Sequence, residues 1–296
     1  MKQVTKILLI GLFLYLFNWL SLPAFPQQPV IMNGAELKIA LEKLQVLGSV
    51  LYVAAHPDDE NTALLAWLSR EKKMRTGYLS VTRGEGGQNL IGSEKGPLMG
   101  VLRTQELLQA RQIDGTEQFF TRAVDFGYSK TAKESLAIWG QENILADMVY
   151  IIRKFKPDVL LSRFPVERSM GGGHGHHTAG AILILEAFKA AGDASRFPEQ
   201  LSVVSTWQPK RILWNTWQPY MKDFKPEDLV KFISVDVGTY NRLLGKSYDE
   251  IAALSRSMHK SQGFGALPRR GQRLDYFLWL DGEPAKKDLF EGIDTS

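Results

Sequence analysis

The sequence predicts an α/β fold in which a mostly parallel sheet is covered by helices on both faces, giving three layers. Two observations carry this prediction. Past Pro29, short apolar runs alternate with longer helical stretches, which is typical of chains that build a parallel sheet. Several short runs are apolar without alternation, as expected for strands buried on both faces. A hydrophobic content of 44% over 296 residues is ample for such a core.

Five strands and six helices are predicted along the chain. The predicted strands are 50–55, 76–82, 159–162, 211–215 and 232–235. The predicted helices are 35–47, 61–72, 102–113, 143–155, 178–190 and 240–260. The Pro- and Trp-rich stretch 197–226 is the expected place for an excursion from the core, so the domain is less clearly defined from about residue 197 onwards.

The chain is predicted to consist of a signal peptide, 1–24, and one domain, 30–296. Lys2 and Lys6 precede an apolar run, 7–20, which ends in small residues and proline. Secretion signals have this order of regions, and 14 apolar residues are fewer than the roughly 20 that span a bilayer. We therefore expect export to the periplasm or the exterior, with transient membrane contact through the signal segment, or membrane association if the signal is not cleaved.

Composition excludes several classes of chemistry. The chain has no cysteine, so disulfides, thiolate nucleophiles, iron–sulfur clusters and cysteine-ligated zinc are ruled out. Any metal must be held by carboxylates and by the five histidines. The formal net charge is +4, and it falls to about +2 without the two lysines of the signal segment, which is too little to indicate a nucleic-acid partner.

The motif AHPDDE, 55–60, follows the first predicted strand and precedes a helix. Chemistry in open α/β sheets collects at the carboxyl ends of strands. One Asp there is explained equally well as a helix cap, but a His and two Asp together are not. His56 and Asp59 lie three residues apart across a turn and can converge, while Asp58 points elsewhere. Zinc accepts imidazole and carboxylate ligands and keeps an open position for water in catalytic sites.

A second histidine-bearing loop, GGGHGHH at 171–177, holds three of the five histidines. It follows the predicted strand 159–162 and opens the helix that begins at 178. Each loop thus follows a strand and begins a helix. This arrangement predicts a metal site shared by the two loops.

Together these motifs resemble the PIG-L/LmbE family of zinc-dependent N-deacetylases. The resemblance spans roughly 50–190 and continues in a later segment. It rests on AHPDDE, TRGEGG at 82–87, the RxxE pair Arg103 and Glu106, the HxxH pair His174 and His177, and HKSQ at 259–262.

The resemblance implies a Rossmann-like three-layer fold and a set of roles. His56, Asp59 and His177 would be the metal ligands, with zinc, Fe2+ or another divalent ion as cofactor. Asp58 would be the general base acting on metal-bound water, and His174 would stabilise the oxyanion or assist departure of the amine. The implied substrate is an N-acetylated amino sugar, such as N-acetylglucosamine in a glycoside or glycolipid.

Other residues are predicted around the substrate. Arg103 is expected to reach sugar hydroxyls or a charged aglycone, although without the resemblance a solvated helix Arg explains it equally well. Glu85 and its neighbouring glycines are expected to shape the pocket rim. Aromatic side chains after residue 200 could stack on sugar rings, but such residues are more often part of the core. They are Trp207, Trp214, Trp217 and Tyr220.

The second loop departs from the common family form HPDH, because His176 stands where the family has Asp. His176 is either a replacement donor or a bystander, and the role of His174 depends on which. Two alternatives stay open. A non-catalytic carbohydrate-binding homologue is one. The other is a non-haem Fe(II) oxygenase using His56, Asp58 and a distant His, which Asp59 rather than Asp58 at the metal would exclude.

Overall fold

A seven-stranded sheet forms the centre of the described chain. The computed structural model describes residues 32–167, 173–217, 221 and 224–296, and Ala35–Ser296 forms one compact unit. In sheet order the strands are β3 (Glu117–Ala123), β2 (Arg75–Thr82), β1 (Ser49–Ala54), β4 (Val159–Ser162), β5 (Arg211–Trp217), β9 (Leu274–Gly282) and β6 (Phe232–Asp236). The first five are parallel, while β9 is antiparallel to both β5 and β6. The short strands β7 (Tyr240–Asn241) and β8 (Lys246–Ser247) form a separate hairpin.

Helices cover both faces of the sheet, as predicted. The helices are α1 (Gly34–Lys43), α2 (Thr62–Ala66), α3 (Pro97–Asp114), α4 (Ala132–Trp139), α5 (Gln141–Phe155), α6 (Gly175–Ala191), α7 (Pro226–Leu229) and α8 (Tyr248–Arg256). Helices α2, α3 and α8 pack together, and α4, α5 and α6 pack together in a second group. Each group contributes to its own hydrophobic core. The three-layer α/β prediction is confirmed.

Strand β1 explains why the sequence shows no polar alternation. Val50 and Tyr52 belong to one core, whereas Leu51 and Val53 belong to the other. Because successive side chains of a strand point to opposite faces, a strand between two helical layers must be apolar at every position. All four side chains are buried.

Strand β1 also marks the point where the strand order reverses. It pairs with β2 on one side and with β4 on the other, both parallel. The connections therefore leave in opposite directions and open a crevice at the carboxyl ends of β1 and β4. The AHPDDE motif and the His174–His177 segment enter that crevice, since each follows one of these two strands.

Five strands were predicted and all five are present, but β3 and β9 were missed. Strand β3 lies at the edge of the sheet and mixes charged and polar residues with phenylalanines, so it lacks a continuous apolar run. Strand β9 carries Asp275 and Asp281 within its apolar sequence. It inserts antiparallel between β5 and β6, a pairing that local sequence does not specify.

The prediction of one helix over 240–260 is wrong at its start. Residues 240–247 form the β7–β8 hairpin, and α8 begins only at Tyr248. Ser247 accepts a hydrogen bond from the backbone N–H of Glu250, whose side chain accepts from the backbone N–H of Ser247. This capping box fixes the helix start.

The predicted signal peptide, 1–24, lies outside the described residues. Across the described ranges, none of the helices combines the length and the apolar character that crossing a bilayer requires.

A buried polar network joins three strands near the crevice. The Asn61 side chain donates to Asn215 on β5 (3.1 Å) and to Asp275 on β9 (2.6 Å), while the Tyr52 hydroxyl on β1 donates to Asn215 (3.0 Å). Burial raises the pKa of Asp275 to about 6, against the opposing influence of Arg273 and the Asn61 hydrogen bond. Asp275 therefore loses its proton at a higher pH than an ordinary carboxyl group does.

The substitution Asp275→Asn tests this linkage. Because the folded-state pKa is about 6 and the ordinary value is 3.8, the wild-type fold loses stability as pH rises from about 4 to about 6. The loss from this group approaches about 3 kcal/mol. Urea unfolding between pH 4 and 7 should show the variant gaining stability relative to wild type across that window. A difference between the two proteins that does not vary with pH would contradict the assignment.

Candidate active site

A cavity of about 330 Å³ lies at the crevice where β1 and β4 end. Five residues predicted from the sequence line it, namely His56, Asp58, Asp59, Arg103 and His174. Residues that the sequence did not single out also line it, among them Asp125, Tyr128 and Gln88. His177 and Glu85 contact lining residues without lining the cavity themselves.

The three predicted metal ligands converge. The Asp59 carboxylate accepts a hydrogen bond from the backbone N–H of His56 (2.8 Å), and its Oδ2 lies 3.0 Å from His56 Nδ1. Its other oxygen lies 3.6 Å from His177 Nε2. Burial alone would raise the pKa of Asp59, but His177 and His56 hold it well below its usual range. Burial opposes charge on His56, yet Asp59 outweighs burial and raises the pKa of His56.

His177 is held in place by its surroundings. Its ring stacks on Phe164, with ring centroids 3.7 Å apart and planes 4° from parallel. Gly173 precedes it with a positive φ of +71°, and a Cβ at that position would lie 2.5 Å from His177 Nδ1. Glycine is therefore needed there both for the backbone conformation and for the space that the imidazole occupies.

The residues fit a divalent metal such as zinc. Two imidazoles and a carboxylate are ligands that zinc accepts. Asp59 offers a different oxygen to each imidazole, at 3.0 Å from His56 Nδ1 and at 3.6 Å from His177 Nε2. Among the described residues, His56 and His177 form a group with His174 in which one donor atom from each residue lies within 4.8 Å of the others. For His56, Asp59 and His177 to hold one ion together, a single oxygen of Asp59 has to face both imidazoles.

Asp58, the predicted general base, is oriented by Arg103. The guanidinium Nη2 lies 2.5 Å from Asp58 Oδ1, and Arg103 is only 3% exposed. The glycines of TRGEGG make room for it, since a Cβ at Gly84 or Gly87 would lie 2.3 or 2.7 Å from Arg103 Nη1. Arg103 is thus a buried partner of Asp58 that also reaches the cavity, and not a solvated helix residue.

Glu85 holds a neighbouring loop. Its Oε2 accepts a hydrogen bond from the backbone N–H of Asp125 (3.1 Å). In the described structure Glu85 therefore supports the loop that follows β3 and does not line the cavity. Its predicted role at the pocket rim remains a prediction.

His174 lies at the N-terminus of α6 and faces the cavity. Its ring is 5.0 Å from that of His56 with planes 27° apart, and 5.6 Å from the ring of Tyr128. An imidazole in this position can donate a hydrogen bond to a group bound in the cavity. The predicted role of His174 is compatible with its placement.

His176 is no solvent-exposed bystander. It is fully buried, and its ring packs against those of Phe126 and Trp139, at centroid distances of 4.5 and 4.7 Å. Its Nδ1 lies 3.1 Å from His56 Nε2. Burial is the main cause that lowers the pKa of His176 to about 3, so its ring is neutral at physiological pH.

Asp125 is the acidic residue that sequence reasoning missed. It follows β3 and lies 3.8 Å from His56 Nε2 and 3.7 Å from His176 Nδ1. Its Oδ1 also accepts from the backbone N–H of Gly127 (2.8 Å). The D-x-G turn signal at 125–127 was available in the sequence, but the strand before it was not predicted, so nothing placed Asp125 at the sheet edge.

A buried charge network fixes the far end of the AHPDDE loop. His259 Nε2 lies 2.6 Å from Glu60 Oε1, and Arg111 lies 3.3 Å from the same oxygen. Just beyond His259, the backbone N–H and the hydroxyl of Ser261 both donate to Glu106 at 2.7 Å. Through these contacts the HKSQ segment stabilises both the AHPDDE loop and α3.

Two of the four predicted stacking aromatics belong to the structural framework. Trp214 is 2% exposed, and the Trp207 indole N–H donates to the carbonyl of Pro157 (2.7 Å). The side chain of Trp217 and all of Tyr220 lie outside the described part of the chain. Tyr128, which was not predicted, is the aromatic residue that faces the cavity and is 71% exposed.

The geometry disfavours the oxygenase alternative. Asp58 pairs with Arg103, whereas Asp59 is the carboxylate beside His56 and His177.

Comparisons with known proteins agree with the motif resemblance. Residues 51–188 match the family profile described as GlcNAc-PI de-N-acetylase, PIG-L. A 1D-myo-inositol 2-acetamido-2-deoxy-alpha-D-glucopyranoside deacetylase from Kineococcus radiotolerans is 31% identical over 196 residues, covering 56% of this chain and 51% of that protein. The chain spans about half the length of the curated relatives it matches.

Two solved structures share the fold. N,N'-diacetylchitobiose deacetylase from Pyrococcus horikoshii has a TM-score of 0.50 at 17% identity, covering 72% of this chain and 70% of that chain. A 4-carboxy-2-hydroxymuconate hydratase from Pseudomonas putida has a TM-score of 0.52 at 15% identity, covering 81% of this chain and 99% of that chain. Because these two proteins are named for different reactions, the fold alone does not decide the chemistry.

The substitution Gly173→Ala tests the packing of His177. The new methyl group would displace the His177 ring, so we expect zinc affinity to fall by about 10-fold or more. Gly292→Ala is the matched control, because its φ of +76° is similar and nothing lies within 4 Å of its Cβ position. Competition with a chromophoric chelator measures both affinities, and equal values would show that Gly173 does not position the ligand.

Proposed function

We propose that this chain, which belongs to the PIG-L family over residues 51–188, is a metal-dependent hydrolase. Its reaction is removal of the N-acetyl group from an N-acetylated amino sugar of the N-acetylglucosamine type. One observation carries the proposal: an oriented carboxylate, Asp58, shares a cavity with the metal-ligand set of His56 and Asp59. The names of the matched family and of the relatives support the substrate class.

The character of the cavity suits a sugar. Besides the charged groups at its base, it is lined by the amide side chains of Gln88 and Gln262 and by the exposed ring of Tyr128. Amides pair with hydroxyl groups in either direction, and an aromatic face packs against the apolar face of a pyranose ring. Lining groups of these kinds accept a polyol better than a fully apolar ligand.

A divalent metal, zinc being our first candidate, would be held by His56, Asp59 and His177. When bound it supplies Lewis-acid polarisation of the acetyl carbonyl. The described side chains provide the remaining steps.

Asp58 accepts a proton from the water that attacks the acetyl carbon. Arg103 donates a hydrogen bond to Oδ1 of Asp58, whereas Oδ2 makes no hydrogen bond within the described ranges. Oδ2 can therefore receive that proton. His174, facing the same cavity, can donate a hydrogen bond to the oxyanion as it forms. The C–N bond then breaks, Asp58 gives the proton it took from water to the sugar nitrogen, and the products are acetate and the free amine.

The direct test is acetate release from a panel of N-acetylated glycosides and glycolipids by the zinc-loaded chain. We expect release from N-acetylglucosaminides, and a loss of about 10²- to 10⁴-fold in Asp58→Asn with unchanged metal content. The exposed residue Asp193 provides the control Asp193→Asn. Zinc binding without acetate release from any substrate would instead favour a non-catalytic carbohydrate-binding protein.

Arg103→Gln separates two roles for this arginine. If Arg103 orients Asp58, kcat falls by about 10-fold or more while KM changes little, whereas a residue that only binds substrate would raise KM and leave kcat intact. Arg83→Gln is the matched control, since Arg83 is an exposed arginine next to the same glycine loop. Steady-state kinetics on the best substrate of the panel decides between the roles.

We also propose that the protein is exported. The order of basic, apolar and small residues in 1–24 supports this location. Fractionation of cells that express the full chain, with N-terminal sequencing of the product, tests both export and cleavage near Ala24.

A further inference from the structure

The two ring nitrogens of His56 face two different groups of potential metal ligands. Nδ1 lies 3.0 Å from Asp59, within the set on which the proposed function rests. Nε2 faces the other way, 3.1 Å from His176 Nδ1 and 3.8 Å from Asp125 Oδ2. Asp125 Oδ1 lies 3.7 Å from His176 Nδ1. This second group shares only His56 with the first.

The spacing of the second group differs from that of a hydrogen-bond network. A hydrogen bond explains the 3.1 Å contact between the two imidazoles, but the Asp125 carboxylate is too far from either ring for one, at 3.7 and 3.8 Å. Asp125 turns a different oxygen to each ring, and one donor atom from each of the three residues lies within 4.8 Å of the other two. The three separations bracket about 3.4 Å, the distance between neighbouring ligand atoms around a tetrahedral zinc ion. A cation between the three donors would account for all of them.

The surrounding structure holds the three donor residues in fixed positions. The buried His176 ring packs against both Phe126 and Trp139. The Asp125 loop is fixed by the hydrogen bond from its backbone N–H to Glu85. All three donor residues are buried, and two of them, His56 and Asp125, also line the cavity, which provides an entry path. Preorganised ligands with access to solvent are what a binding position for an ion requires.

We propose that His56 Nε2, His176 Nδ1 and Asp125 form a second position for a divalent cation, and that the His56 imidazole bridges it to the first. Binding at both ring nitrogens releases the remaining N–H proton of His56 to solvent. The imidazolate, with Asp59 and Asp125, offsets three of the four positive charges of two divalent ions. The His at position 176, where the family commonly has Asp, supplies the neutral ligand of this second position.

Metal stoichiometry tests the proposal without any measurement of turnover. The full chain is stripped with a chelator, reloaded with excess Zn2+, freed of unbound metal and analysed for zinc per protein. We expect two equivalents in wild type and in the control Asp193→Asn, and one equivalent in Asp125→Asn and in His176→Phe. Circular dichroism checks folding, and the isosteric Asp125→Asn decides the matter if His176→Phe does not fold.

Loading with Cu2+ tests the bridge itself. Two Cu2+ ions joined by an imidazolate are exchange-coupled, so wild type should lack the electron paramagnetic resonance signal of isolated Cu2+, and Asp125→Asn should show it. One zinc equivalent in wild type, or an unchanged count in Asp125→Asn, overturns the proposal and leaves the His56–His176 contact as a hydrogen bond. Acetate release by such a one-metal protein would leave the proposed function standing.

Discussion

The carboxylate of Asp59 joins parts of the site that come from distant points of the chain. One oxygen accepts from the backbone and faces the ring of His56, and the other faces His177 at the start of α6. A buried carboxylate is tolerated only when such partners compensate for lost hydration. The loop after β1 and the start of α6 must therefore keep a fixed separation, and the parallel pairing of β1 with β4 provides it.

The rest of the molecule supports this arrangement from two sides. Behind the AHPDDE loop, Glu60 is buried with His259 and Arg111, so the loop is anchored to α3 and to the segment after α8. On the cavity side, Arg103 fixes Asp58. Charged groups that pair with one another in a buried network hold one geometry better than solvated ones, and a proton-transferring carboxylate requires such a fixed geometry.

The sequence predicted those site residues that lie next to clearly patterned strands or helices. His56 and Asp59 follow a continuous apolar strand, and His174 and His177 precede a clear helix, so their placement at the sheet edge could be deduced. Asp125 follows β3, an edge strand whose polar residues hide its periodicity, and so it was missed. Arg103 was recognised, but its contact with Asp58 joins residues 45 positions apart, and no local pattern specifies such a pair.

The sequence by itself determined the α/β class, the strands that precede the two histidine-bearing loops and the available ligand chemistry, because burial on both sheet faces and the absence of cysteine are visible residue by residue. Only the tertiary structure decided which groups meet. The tertiary structure places β9 antiparallel within the sheet, packs His176 against two aromatic rings and turns the two nitrogens of His56 towards different carboxylates. The physical reason is that local periodicity reports how each segment is buried, whereas contacts between distant side chains depend on strand order and on the packing of helices across the sheet.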